Sequence, residues 1–188
     1  MASLLLPIIY LAFISLGLPD ALLGGAWPTM YPQLGAQVSW AGGVSMIISA
    51  CTILSALASD RLNERLGTGR VTAISVAATA AALFGFSFGH AFWQLCLWAI
   101  PYGLGAGSVD AALNNYVALH YKSRHMSWLH CMWGVGASLG PVIMGQALAG
   151  SGWQGGYRII GILQVVLTVV LLFSLPLWKL PQDAMGGE

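Results

Sequence analysis

The chain contains the stretch GLGAGSVDAALNNYVALHY at residues 103–121, where one aspartate and two asparagines interrupt a segment that is otherwise small and apolar. In a helix, three- and four-residue spacing would align Gly103, Gly107, Asp110, Asn114, Val117 and Tyr121 on one stripe. A carboxylate at bilayer depth costs roughly 2.5 to 3.5 kcal/mol, and intramembrane acids usually mark functional sites. Asp110 is therefore the first candidate for a functional residue.

The composition of the 188 residues is that of an integral membrane protein. Hydrophobic residues make up 57% of the chain and charged residues only 7%, with a mean hydropathy of +0.77. An average soluble domain has roughly 25% charged residues. The net charge of +1 offers no basic surface for nucleic acid, so we expect no nucleic-acid partner.

The sequence predicts neither an enzyme nor a cofactor or metal site. Three cysteines, Cys51, Cys96 and Cys131, lie singly in apolar segments, which fits neither a disulfide framework nor a zinc site. The segment Gly136–Gly140 matches G-x-S-x-G, but it falls within a predicted helix rather than at the strand-to-helix turn that a nucleophile elbow requires.

Six apolar stretches are near or above the roughly 20 residues that a membrane-spanning helix requires. They are placed at residues 3–31, 38–58, 71–89, 92–119, 126–149 and 155–178. The expected fold is all-α and integral to the membrane, with one domain at residues 1–180 and a short cytoplasmic tail at 181–188.

Basic residues predict the orientation of these spans. Arg158 is expected alone on one side, and six basic residues are expected on the other: Arg61, Arg65, Arg70, Lys122, Arg124 and Lys179. By the positive-inside rule the second side is cytoplasmic. Both termini would then be cytoplasmic, in a multi-pass protein of the cell membrane.

An internal repeat is indicated by landmarks that recur at offsets of 90 or 88 residues. They are Asp20 and Asp110, Ser39-Trp40 and Ser127-Trp128, and Arg70 and Arg158. They divide the chain into repeats at about 3–89 and 92–178. Because each repeat has three spans, the second runs in the opposite sense, giving the 3+3 inverted repeat that many transporters use.

Four pieces of sequence resemble the amino-terminal half of a major facilitator superfamily transporter, and within that superfamily the fucose permease-like sugar transporters. They are GLPDALLGGAWPTMYPQLG at 17–35, SDRLNERLGTGRV at 59–71, GLGAGSVDAALNNYV at 103–117 and LHCMWGVGASLGP at 129–141. The resemblance covers essentially the whole chain. It implies a secondary transporter of a small polar solute, with a sugar as the expected class.

The resemblance also implies roles for individual residues. Asp20 and Asp110 match the family's acids for proton coupling, with sodium as the alternative ion. Asn114 lies in the substrate-facing segment, and His130 and Trp133 resemble the polar cavity lining. An acid could instead bond to a neighbouring helix, and Asp20 could cap a helix broken after Pro19.

Two further candidates for substrate binding are Trp27 and Asn115. Trp27 would stack on a sugar, although an aromatic anchor at the membrane interface is the equal alternative. Asn115 points away from the Asp110 stripe, and an amide that joins two helices is its alternative role.

The segment 59–71 resembles the cytoplasmic G-x-x-x-D-R-x-G-R-R signature of the superfamily. Asp60 and Arg61 match the D-R pair and Arg65 the last arginine, so these three residues are expected in a cytoplasmic gating loop. Three positions depart from the signature: Ala56, Asn63 and Glu64. A merely solvated loop is therefore the alternative.

Six spans are half of a complete transporter of this superfamily. Because its halves share one orientation in the membrane, two copies of this chain can pair under twofold symmetry. The sequence therefore predicts a homodimer. The alternatives are a heterodimer with another half-size chain, a half of a longer protein, or a membrane interaction subunit that transports nothing.

Overall fold

A computed structural model describes the backbone of residues 2–179 and the side chains of residues 4–178. This part of the chain forms seven α-helices followed by a short 3-10 helix at Leu175–Lys179. The helices are α1 (Ala2–Asp20), α2 (Leu22–Gln33), α3 (Trp40–Leu66), α4 (Thr68–Ser87), α5 (Phe92–His120), α6 (Ser123–Leu148) and α7 (Gly152–Ser174). The all-α class is confirmed, and the predicted tail at 181–188 lies outside the described residues.

Five segments of the described chain are long and apolar enough to cross a membrane. They are Leu4–Gln33, Trp40–Leu66, Thr68–Ser87, Ser123–Leu148 and Gly152–Trp178. Helix α5 has 29 residues, which is long enough, but its polar residues and glycines lower its hydropathy. Because α5 packs extensively against both α3 and α4, much of its surface is shielded from lipid. The count of six spans stays a prediction.

The connection between α3 and α4 is shorter than the sequence predicted. Ser59–Arg70 was expected to be a loop, but α3 continues to Leu66 and α4 begins at Thr68, with Gly67 alone between them at a φ of +81°. Asp60, Arg61 and Arg65 therefore lie in the last turns of α3 rather than in a loop, and their cytoplasmic gating role stays a prediction. Apolar windows miss such turns because a helix continues past the apolar core into charged residues.

The first predicted span is broken after Asp20, because Pro19 disturbs the helix. Proline has no backbone N–H, so the carbonyl of Ser15, four residues earlier, has no helical donor at that position. Gln164 on α7 supplies one instead, since its Nε2 donates to the Ser15 carbonyl at 2.6 Å. Neighbouring helices commonly satisfy backbone groups freed by proline in this way.

Glycines permit the close crossings between helices of the two predicted repeats. A Cβ at Gly107 on α5 would overlap the Thr52 carbonyl on α3, and one at Gly17 on α1 would overlap the Trp133 carbonyl on α6. In the predicted repeat, α3 corresponds to α6 and α5 corresponds to α1. The α3–α5 crossing therefore corresponds to the α6–α1 crossing. Gly17 and Gly107 are also 90 residues apart, the offset of the two aspartates. The pairing fits an inverted repeat, which stays a prediction.

The interior has two apolar clusters with a polar layer between them. One cluster includes Trp27, Phe86 and Trp153, near the connections 34–39, 88–91 and 149–151. The other includes Phe13, Leu113 and Leu171, towards the end of the bundle that holds Gly67. Between them lie buried polar side chains on five helices: Ser15, Ser55, Thr79, Ser108 and Gln164. The candidate site lies at this polar level.

Candidate functional site

Asp20 is bonded to two other helices at the break between α1 and α2. The Tyr102 hydroxyl on α5 donates to its Oδ1 at 3.0 Å, and the Trp133 indole N–H on α6 donates to its Oδ2 at 2.9 Å. No side chain caps the N-terminus of α2 at Ala21. The capping role considered for Asp20 is therefore absent, and its carboxylate instead joins α1 to α5 and α6.

Asp110 on α5 has a different set of neighbours. The Asn114 amide, one turn further along the helix, donates to the carboxylate Oδ1 of Asp110 at 3.0 Å and to its backbone carbonyl at 2.9 Å. The rest of the carboxylate faces an open space, which it shares with His130. The two aspartates thus occupy related positions in sequence and different surroundings.

Two cavities meet at Asp20. The large cavity has a volume of about 690 Å³ and is lined by Pro19, Asp20, Ala21, Leu23, Gly24, Gly25, Ala41, Ser45, Ile48, Ser49, Leu83, Phe86, Tyr102, Pro141 and Tyr157. The small cavity, of about 360 Å³, is lined by Phe13, Leu16, Asp20, Ile48, Thr52, Tyr102, Ala106, Asp110, His130 and Trp133. Asp20, Ile48 and Tyr102 line both, so Asp20 lies between the large cavity and Asp110.

The charges in these cavities are acidic. Among the described residues, no lysine or arginine lines either of them, whereas the small cavity holds two carboxylates and one histidine. The basic side chains lie near helix ends instead, as with Arg65 in the last turn of α3 and Arg70 in the first turn of α4. An anionic solute would therefore meet no fixed positive charge in this space.

The structure brings together most of the residues that were predicted to form the site. Asp20, Asp110, His130 and Trp133 all line the small cavity. Asn114 is placed next to it by its hydrogen bonds to Asp110. Asn115 is exposed and lines neither cavity, as its position off the stripe predicted.

Trp27 lies away from both cavities. Its side chain is only 5% exposed, and its indole N–H donates to the Val38 carbonyl at 2.8 Å. Its ring packs against Tyr31 and Phe92. These contacts hold the α2–α3 connection against the start of α5, and both the sugar-stacking role and the membrane-interface role of Trp27 stay predictions.

The Asp110 stripe is divided between two environments. Gly103 and Gly107 pack against the backbone of α3 rather than facing the cavity. The cavity-facing stripe is instead Tyr102, Ala106 and Asp110, at four-residue spacing. The predicted stripe therefore has one edge that packs on α3 and one that faces the cavity, because Gly107 and Asp110, three residues apart, are offset by about 60° around the helix.

Tyr102 is the functional candidate that the sequence prediction missed. It is 4% exposed, lines both cavities and donates to Asp20. The available signal was its position two turns before Asp110 on a membrane helix, because a buried tyrosine hydroxyl usually has a hydrogen-bond partner. Tyr157 and Phe86, whose rings stack at 5.2 Å, were likewise not predicted to line the large cavity.

Long apolar helices around an acid-lined cavity at mid-bundle depth are the architecture of multi-pass membrane transporters. Comparison with known families matches residues 9–184 to the Major Facilitator Superfamily. The chain belongs to this superfamily, which confirms the family expected from the sequence, a family of transporters rather than of enzymes. Its placement with the fucose permease-like sugar transporters stays a prediction.

A curated relative is the 4-hydroxybenzoate transporter PcaK of Pseudomonas aeruginosa. It is 28% identical over 169 residues, which cover 85% of this chain and 37% of the relative. The chain therefore matches well under half the length of that transporter.

Proposed function

We propose that the chain is one half of a secondary transporter that carries a small polar solute by alternating access, with protons coupled through Asp20 and Asp110. The observation that carries this proposal is the position of Asp20 where the two cavities meet, with Asp110 in the smaller one. A carboxylate at this depth, with no lysine or arginine beside it among the described residues, takes up a proton more readily than one paired with a cation. Sodium bound by carboxylate and backbone oxygens is the alternative.

An uncharged solute such as a sugar is the substrate class that suits this lining best. Ser45, Ser49 and Thr52 place three hydroxyls on one face of α3, near Asp20 and Tyr102. Such groups donate and accept hydrogen bonds with the hydroxyls of a sugar, and Trp133 offers an aromatic face. The negative carboxylates and the lack of a cationic lining residue disfavour an anion.

A second candidate is an aromatic acid, because the relative is named for 4-hydroxybenzoate. Three aromatic residues of the large cavity, Phe86, Tyr102 and Tyr157, support this candidate by offering apolar surface for a ring. The charge of the cavities opposes it, unless the solute enters together with protons. A direct comparison of the two solute classes decides between them.

The other half is proposed to be a second copy of the chain, related by twofold symmetry. Helices α3 and α6 are the least buried of the candidate spans, with 11% and 22% of their apolar windows buried, against 67% for α4. The same two helices contribute Ser45, Ser49, Thr52, His130 and Trp133 to the cavities. A partner that covers α3 and α6 would therefore also close the cavities.

The proposed pairing is tested by cross-linking. With the native cysteines replaced by alanine, a single cysteine at Leu54 on α3 or Leu139 on α6 is expected to form a disulfide-linked dimer in the membrane. A cysteine at Phe173, which is 83% exposed on α7, is the control and is expected to stay monomeric. Equal cross-linking at all three positions would contradict a defined interface.

Two other arrangements are alternatives to this homodimer. The second half is then another half-size chain, or the remainder of a longer protein that contains this sequence. For either arrangement we propose a location in the cell membrane with residues 61–70 and 122–124 on the cytoplasmic side, since these carry most of the basic residues.

The proposed activity is tested by uptake into proteoliposomes that contain only this chain. The assay compares a panel of sugars with 4-hydroxybenzoate under an imposed pH gradient, a sodium gradient or no gradient. Sugar uptake driven by the pH gradient supports the full proposal. Uptake of 4-hydroxybenzoate alone overturns the substrate class, and the absence of all uptake favours a different partner or a subunit that does not transport.

A further inference from the structure

A third cavity lies on the outside of the bundle, between α4 and α5. This α4–α5 groove has a volume of about 560 Å³ and is lined by Ala81, Phe84, Gly85, Phe88, Trp93, Gln94, Leu97, Trp98 and Pro101. It shares no lining residue with the large or small cavity. The groove therefore has no part in the proposed solute path.

The groove is open, apolar and runs along α4. A Cβ at Gly85 would overlap the indole ring of Trp98, so the glycine lets this ring lie flat against α4. From Phe88 to Ala81 the groove follows seven residues of α4, or about 10 Å at 1.5 Å per residue. It thus begins at the end of the bundle and continues into its apolar depth, as an acyl chain does in a bilayer.

An arginine without a carboxylate partner lies at the rim of this groove. The Arg158 guanidinium carbon is 5.4 Å from the centre of the Phe88 ring. Four acidic residues are described: Asp60 and Glu64 lie near the far end of α3, and Asp20 and Asp110 line the small cavity. In the described part of the chain, Arg158 is also the one lysine or arginine at its end of the bundle, where His90 is a further titratable residue.

The groove also offers hydrogen-bond donors near its rim. Four indole N–H groups in residues 4–178 donate to protein acceptors, those of Trp27, Trp133, Trp153 and Trp178. The indole N–H groups of Trp93 and Trp98 have no such acceptor among the described residues. The Trp93 side chain is 61% exposed, so its N–H can bind a group outside the protein. Tryptophan at this position is typical of residues that face lipid headgroups and ester groups.

We propose that the α4–α5 groove binds one acyl chain of an anionic phospholipid, with the lipid phosphate on Arg158. The planar guanidinium matches a phosphate with two parallel hydrogen bonds. The single unpaired positive charge favours a lipid with a net negative headgroup, because a zwitterionic lipid carries its own amine. In this arrangement the apolar floor of the groove contacts the acyl chain of the lipid, and the indole N–H groups donate to its ester region.

The test measures the first lipid bound to the purified, delipidated chain in detergent by native mass spectrometry. Phosphatidylglycerol and phosphatidylethanolamine with identical acyl chains are compared. The unmodified protein is expected to bind phosphatidylglycerol about fivefold more tightly, as one basic residue near lipid contributes. Arg158→Gln is expected to remove this preference, because the glutamine side chain carries no charge.

Two further variants separate the groove from general charge attraction. Ala81→Phe fills the groove while keeping Arg158, and is expected to weaken binding of both lipids. Arg124→Gln removes an exposed arginine at the opposite end of the bundle and is expected to retain the preference, with circular dichroism confirming that every variant is helical. The proposal is overturned if Arg158→Gln keeps the preference for phosphatidylglycerol, or if Ala81→Phe binds both lipids as the unmodified chain does.

Discussion

The hydroxyl of Tyr102 on α5 donates a 3.0 Å hydrogen bond to Oδ1 of Asp20 on α1, across 82 residues of sequence. The bond joins the two predicted repeats at the point where the cavities meet. Because Asp20 also accepts from Trp133, a change in its protonation alters its contacts with two helices at once. This is how proton binding would be linked to helix movement.

Removal of that hydroxyl is expected to impair transport. A hydrogen bond to a charged group contributes about 1.5 to 3 kcal/mol, so Tyr102→Phe is expected to lower proton-driven uptake by roughly 10- to 150-fold. The control is Tyr157→Phe, which changes another tyrosine of the large cavity that does not contact Asp20. Initial uptake rates at several pH values check the prediction, and equal losses in the two variants would refute a special role for Tyr102.

Two tryptophans are expected to respond differently to substitution. Trp27→Phe leaves the Val38 carbonyl without its donor, which costs about 1 to 3 kcal/mol, so it lowers the unfolding temperature and leaves the solute KM unchanged. Trp133→Phe removes a donor to Asp20 in the small cavity and is expected to change the KM or the pH profile. Thermal unfolding and uptake kinetics of both variants provide the check. An altered KM in Trp27→Phe with normal stability would support the sugar-stacking role.

A glycine pair on α6 tests the close crossing with α1. A Cβ at Gly136 would overlap the Ile14 carbonyl, whereas one at Gly134, two residues earlier, meets nothing within 4 Å. Overpacking costs about 1 to 3 kcal/mol, so Gly136→Ala is expected to lower the unfolding temperature in detergent. Gly134→Ala is expected to leave it unchanged or raise it slightly, since alanine favours helix. Similar destabilisation by both would contradict the crossing.

Gln164 is expected to be structural rather than part of the solute path. Gln164→Met keeps a similar size but leaves the Ser15 carbonyl without a donor beside Pro19, at a cost of about 1 to 3 kcal/mol. The control is Gln146→Met on an exposed position of α6. Denaturation in detergent should show a loss of stability for the first variant alone. Unchanged stability of Gln164→Met would show that the helix break does not need this bond.

Much of the architecture follows from local sequence. Apolar runs located the helical segments, and the matching spacing around Asp20 and Asp110 placed both acids in one site. Helix ends were less predictable, because residues such as Arg65 and Ser123 are helical beyond the apolar window. Pro19 signalled a disturbance in the first span, but the partner of the freed carbonyl, Gln164, lies 149 residues away.

The parts of the site that escaped prediction depend on packing between distant segments. The position of Tyr102 two turns before Asp110 was the one local signal, and it could not identify the partner, since the role of Tyr102 depends on the approach of α1. The contact made by Trp27 could not be predicted either, because it is the fold of the α2–α3 connection that brings the Val38 carbonyl to its indole N–H. Local spacing also could not decide that Gly103 and Gly107 pack on α3 while Tyr102 faces the cavity.

Asp110→Asn in proteoliposomes is the most direct test of the proposed proton coupling. The amide keeps the size and the position beside Asn114 but cannot exchange a proton. We expect gradient-driven uptake of the solute to be lost, while exchange of labelled for unlabelled solute across the membrane continues. We expect the control Glu64→Gln, near the end of α3, to retain both activities. Uptake by Asp110→Asn that is still driven by the pH gradient would contradict the account.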